Sequence, residues 1–206
     1  MGTLTSVGIL ALENAIEHVP DGRVSSEAAL ALGNAIHASN ARGDSSGASV
    51  VQWVGEQLAA HPPAERRIAL VNALGNSGSG AALPLLVAAL EDSNPNVRAA
   101  AVQASSAFRD SVIRRRLERI LRSDTTAFVR LRAAAALDSI DDDAALMSAE
   151  RDALLTEPDA DVRVQLVTNL WSVRERWPEI ERLIRELGAT DPADRVKALI
   201  ARLVRS

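Results

Sequence analysis

A valine-arginine pair recurs along this chain at a nearly fixed interval. Val97-Arg98, Val129-Arg130 and Val162-Arg163 are 32 and 33 residues apart, and Arg67 stands 31 residues before Arg98. Downstream, "DRVKALIARLV" keeps the apolar pattern with its basic residue displaced to Arg195. "ALGN" also occurs twice, at Ala31–Asn34 and Ala73–Asn76. A self-similar period of this size signals stacked supersecondary units, each burying an apolar face on the next.

Each unit reads as two helices. In "GAALPLLVAALED", Leu83, Leu86, Val87 and Leu90 form a stripe at helical spacing. "SNPN" stops that helix: Asn94 is placed to cap a second one, and Pro95 suits its first position. The second helix then carries Val97, Ala101, Val102 and Ala104. The same alternation predicts six helical hairpins, over about 1–40, 48–78, 79–108, 109–140, 141–175 and 176–206, with an irregular loop at 39–49. Residues 1–206 are expected to form one continuous repeat domain. Aromatic residues are 2% of the chain and tyrosine is absent. A core without rings must be packed from Ala, Leu, Val and Ile, which suits closely approaching helices. The expected fold is all-α, a right-handed α-solenoid whose second helices form an inner, concave layer.

The arginines have a regular acidic companion six positions upstream: Asp92 for Arg98, Asp124 for Arg130, Glu157 for Arg163. The acid falls in the turn between the two helices and the arginine in the first turn of the second. From there a guanidinium can reach the acid of its own unit or of a neighbour, and its planar fork suits a carboxylate. These six residues are the expected structural ladder.

This acid–arginine spacing resembles the HEAT repeat, as does Pro84 within the first helix of its unit. The resemblance is strongest over 80–175, extends to 48–79 and 176–206, and fades before 48. A second likeness is carried by "RRIALVNALGNSGSGAALPLLVAAL" with the alanine-rich segments after it. These resemble the helical domain of vitellogenin-type large lipid transfer proteins, which implies a helical arch belonging to a larger protein.

Composition narrows the chemistry. There is no cysteine, which excludes disulfides, thiol catalysis and Cys-based metal sites. Net charge is −4, so bulk charge does not favour polyanions. Residues 109–132, however, hold eight arginines against three acids, a net +5 that leaves −9 elsewhere. Arg115, Arg119 and Arg122 share one helix face there. "GDSSG" around Ser45 lacks the strand-to-helix context of a nucleophile elbow. "GNSGSG" at 75–80 lacks the Lys-Ser/Thr of a P-loop and reads as a helix stop. His18, His37 and His61 have no metal-ligand spacing. "DDD" at 141–143 reads as a helix cap. Trp171 and Trp177 resemble the tryptophans of HEAT-like DNA glycosylases, but Trp171 continues an apolar stripe with Val167 and Leu170.

The expected function is non-catalytic: a scaffold or adaptor binding a protein or peptide along the concave surface, with no cofactor and no metal. Gln103, Arg132 and Gln165 on the second helices are the expected contacts, and Arg115, Arg119 and Arg122 a second surface. The alternatives are nucleic-acid or other polyanion binding through 109–132, and the helical arch of a lipid-transfer-like protein. No apolar stretch approaches the roughly 20 residues of a membrane span. The expected location is the cytoplasm unless the segment comes from a larger secreted protein.

Overall fold

The computed structural model describes residues 6–18, 22–42, 46–138 and 143–205. The described residues form helices joined by short turns, and no strand occurs among them. In chain order these are α1 (Ser6–His18), α2 (Gly22–Arg42), α3 (Ser46–Ala59), α4 (Ala64–Ser77), α5 (Leu83–Ala89), α6 (Pro95–Ser105), α7 (Ser111–Ser123), α8 (Ala127–Leu137), α9 (Ala144–Thr156), α10 (Ala160–Ser172), α11 (Pro178–Thr190) and α12 (Asp194–Leu203). The chain divides into two compact units, Met1–Ile113 and Arg114–Ser206, and the boundary falls inside α7.

In the first unit the second helices pack in succession, α2 on α4 and α4 on α6. Helix α1 lies against α2, α3 against α2 and α4, and α5 against α4 and α6. Leu32, Ile36, Val54, Leu70, Leu74, Leu86, Leu90, Val97 and Val102 are buried between them. Each fully buried side chain of this size stabilises the fold by about 1.5–3 kcal/mol. Asn94 caps α6, its side chain accepting the Asn96 N–H at 2.9 Å, and Pro95 opens the helix as expected. Pro84 lies in the first turn of α5, where its missing N–H leaves no bond unmade. A 3-10 turn, Gly80–Ala82, leads into it.

The two "ALGN" segments explain how these helices come so close. A Cβ on Gly33 would lie 2.6 Å from the Ala73 carbonyl oxygen and 2.6 Å from the Asn76 Cβ. A Cβ on Gly75 would lie 2.7 Å from the Ala104 Cβ. Both glycines are therefore contact points between consecutive second helices. Gly78 has a different role: it ends α4 at φ 58°, the left-handed conformation that glycine adopts without strain.

In the second unit α8, α10 and α12 pack in succession, with α9 on α10 and α11 on α10 and α12. Val162, Leu166, Val167 and Leu170 bury one stripe of α10. Asp143 and Asp159 cap α9 and α10, each accepting two backbone N–H groups. Asn169 is buried on α10 and donates to the Ala134 carbonyl at 2.8 Å and to Glu150 Oε1 at 2.7 Å. One carboxamide thus ties α10 to both α8 and α9, as a buried polar group requires.

The expected loop at 39–49 needs correction. Residues 39–42 continue α2 and residues 46–49 already belong to α3. Alanines 38 and 41 favour the helix. The buried Ser39 hydroxyl accepts the Gly47 N–H at 2.9 Å, satisfying a backbone donor that the start of a helix leaves without an intrahelical partner. Residues 43–45, with Ser45, lie outside the described residues, as do Asp141 and Asp142.

Gly33→Ala and Gly75→Ala are expected to lower stability, because overpacking costs about 1–3 kcal/mol and outweighs the ~1 kcal/mol that alanine gains over glycine in a helix. Gly80→Ala meets nothing within 4 Å and should be neutral or better. Urea unfolding midpoints of the three variants check this. Equal midpoints at Gly33 and Gly80 would contradict it.

Candidate functional site

Arg67, Arg130 and Arg163 each hold two turns at once. Arg130 donates from Nε to Glu157 Oε2 at 2.9 Å and from Nη2 to Oε1 at 2.6 Å. Its remaining nitrogen, Nη1, donates to the carbonyl of Asp124 in its own turn at 2.8 Å. Arg163 repeats this, with Asp191 Oδ2 at 2.8 Å, Oδ1 at 2.9 Å, and Nη1 on the carbonyls of Glu157 and Pro158. Arg67 does the same with both Asp92 oxygens at 2.8 Å and the Pro62 carbonyl at 2.6 Å. Arg98 donates from Nη1 to the carbonyls of Asp92 and Ser93. The acid six residues upstream thus offers its backbone oxygen to its own arginine. Its carboxylate, in the cases of Asp92, Glu157 and Asp191, receives the arginine of the preceding hairpin.

Each acid is also fixed from below. Asp92, Asp124, Glu157 and Asp191 each accept the backbone N–H two residues on, at 2.8 to 2.9 Å. Burial works against the charge of Asp92 and Asp191, but the guanidinium and backbone N–H bonds outweigh it and hold both carboxyls below the usual carboxylate range. Hydrogen bonds to Asp92, Glu157 and Asp191 raise Arg67, Arg130 and Arg163, respectively, above their ordinary values. The Arg163–Asp191 side chains are 9% and 2% exposed, so this rung is shielded from solvent screening.

A cleft of about 480 Å³ lies on the first unit, across α2, α4 and α6. Leu30, Asn72, Asn76, Gln103 and Ser106 line it, with Gly75, Ala104 and Ala107 as small residues between them. None of its lining residues is charged. On the second unit Arg132 is exposed on α8. Gln165 is half-buried on α10, with its Nε2 donating to Asn169 Oδ1 at 2.7 Å. Gln165 is therefore part of the internal amide network around Asn169.

On α7, Ile113, Leu117, Ile120 and Leu121 are buried while Arg115, Arg119 and Arg122 are exposed. Arg114 is held by Asp143 and Glu118 and so belongs to the helix framework. Trp171 is buried, with the Arg174 guanidinium 4.6 Å from its ring centre, and Arg176 covers Trp177 at the same distance. Among the described residues, no three His, Asp or Glu side chains come together as a metal site would require. No described helix is long and apolar enough to cross a membrane.

Residues 51–138 match a family model described as HEAT repeats. The match covers under half of the chain, from α3 to the end of α8, and bears out the resemblance carried by the acid–arginine spacing. No curated protein matches the chain. Among solved structures it is similar to the crystal structure of an engineered protein, a Northeast Structural Genomics Consortium target, at 19% identity. That likeness covers 95% of each chain with a TM-score of 0.51 and concerns the fold alone. Within each unit, the succession of hairpins is that of a HEAT-like α-solenoid.

The same periodicity also points to two positions that the valine-arginine alignment leaves out, one in the ladder and one in the cleft. Asp191 stands six residues before Lys197, the spacing of every other acid–base pair, but with lysine where arginine is the rule. Asn72 stands 31 residues before Gln103, the interval between Arg67 and Arg98, so the two occupy matching positions on α4 and α6.

Because Asp92 and Asp191 are depressed in the folded protein, their contribution is present above the unfolded aspartate value near pH 3.9 and is lost as pH falls through the folded one. The melting temperature should therefore hold from pH 5 to 8 and drop below about pH 4. An Asp92→Asn, Asp191→Asn double variant should start lower at pH 7 and lose less on acidification. Arg130→Lys keeps the charge but not the fork, and should cost about 1.5–3 kcal/mol. Unchanged melting in either variant would contradict this account of the rungs.

Proposed function

We propose that the chain is a non-catalytic scaffold or adaptor that binds a protein or peptide segment on the exposed faces of its second helices. The observation that supports this most is the cleft shared by α2, α4 and α6, where polar side chains of α4 and α6 stand beside the exposed Leu30 of α2. HEAT repeats typically serve as protein-interaction modules, which favours the same reading over 51–138. The backbone of such a surface is already held by the rungs, so a partner would bind with little ordering cost to the protein.

A photo-crosslinking residue placed at Ser106, just past the end of α6, or at Thr168 on α10 should capture peptide ligands selected from a displayed library. The same residue at Gln52, exposed on α3, should not. Capture at Gln52 alone would contradict the proposal. The exposed Arg115, Arg119 and Arg122 favour a second reading, binding of a nucleic acid or other polyanion. It predicts anisotropy of a labelled single-stranded oligonucleotide that rises at low salt, collapses as salt increases, and is abolished by Arg115→Glu with Arg119→Glu. No binding at low salt would eliminate it.

A further inference from the structure

We infer that the cleft across α2, α4 and α6 reads the main chain of an extended, uncharged peptide segment, through the carboxamides of Asn72, Asn76 and Gln103. The inference rests on the peptide-binding reading above and says where and how it operates. Asn72 and Asn76 lie four residues apart on α4, so they share one face of the helix. Asparagine is a poor interior helix residue, and two of them on one face lower helix propensity relative to alanine. Neither carboxamide has a hydrogen-bond partner among the described residues. Asn169 and Gln165 on α10 are the opposite case, since both are tied into the packing. Asn72 and Asn76 thus contribute no bond to the fold, yet they line its cleft beside Gln103.

A carboxamide offers both donor and acceptor. An extended peptide presents unpaired N–H and C=O groups of the same kind, whereas a helical ligand has already paired its own. Phosphate would call for cations, and the cleft has none. A charged peptide side chain would enter a lining with no opposite charge to offset its desolvation. Leu30 is 50% exposed in the same cleft, which supplies one apolar contact. Successive helix axes lie roughly 8–10 Å apart. Three helices therefore span about 16–20 Å, the length of five or six extended residues at about 3.3 Å each.

The probe is a displayed library of linear peptides about a dozen residues long, panned against the full chain at roughly 0.5 M salt to suppress exposed-charge contacts. Recovered peptides should be uncharged over their binding core and lose less than about twofold in affinity between low and high salt. Asn72→Ala, Asn76→Ala and Gln103→Ala should each weaken them by about tenfold, and the two asparagine variants should leave thermal melting of the protein unchanged or raised. Synthetic peptides N-methylated at single central amides should lose binding, because methylation removes the main-chain donor. Peptides that bind but ignore the three substitutions, losing affinity instead on Arg132→Ala or Thr168→Ala, would overturn the cleft assignment and leave the peptide-binding reading standing. Indifference to N-methylation, or a ligand that binds as a helix, would overturn main-chain recognition. Recovery of no peptide would count against both.

Discussion

A single guanidinium bonded to two turns is the interaction on which the rest of this structure depends. Arg130 and Arg163 each close their own turn with one nitrogen and grip the following turn's carboxylate with two others. The carboxylate cannot swing away, because the backbone N–H two residues on holds it. Each hairpin is thereby indexed to the next. A helical hairpin buries its apolar face only against neighbours, so indexing decides which residues meet in the core. Breaking one partner of a buried pair costs about 3–5 kcal/mol, while replacing both by apolar groups can be neutral. The rungs are better understood as specifying alignment than as adding net stability.

Alignment has a consequence on the opposite side of the helices. With the arginines committed to the turns, the close contacts fall to small residues: Gly33 against Ala73 and Asn76, Gly75 against Ala104. Nearby polar side chains, Asn72 on α4 and Gln103 on α6, are left lining the cleft in matching positions. Framework and candidate site arise from the same period. The second unit uses its amides differently, with Asn169 and Gln165 drawn into the packing around the buried Glu150.

Much of this was legible in the sequence where the signal was local or periodic. Val-Arg spacing revealed the hairpins, Asn94-Pro95 announced a helix start, and Asp143 was recognisable as a cap because capping involves only the next three residues. The carboxylate partners were harder to identify. They stand 25 to 28 residues from their arginines, and spacing alone could not separate a turn's own acid from its neighbour's. Asp191 was hidden by Lys197, which breaks the valine-arginine pattern. The apparent loop at 39–49 was suggested by Gly43, Ser45 and Gly47, although the helices run to within three residues of each other. Gln165 and Gln103 look alike in sequence, and only packing separates them.

The most direct measurement is a double-mutant cycle on the most buried rung, with Arg163→Met, Asp191→Asn and both together, followed by urea unfolding at neutral pH. A rung that indexes consecutive hairpins predicts a coupling energy of about 2–3 kcal/mol, with the double variant far less damaged than the sum of the singles. A coupling below about 0.5 kcal/mol, within the range of independent sites, would contradict it.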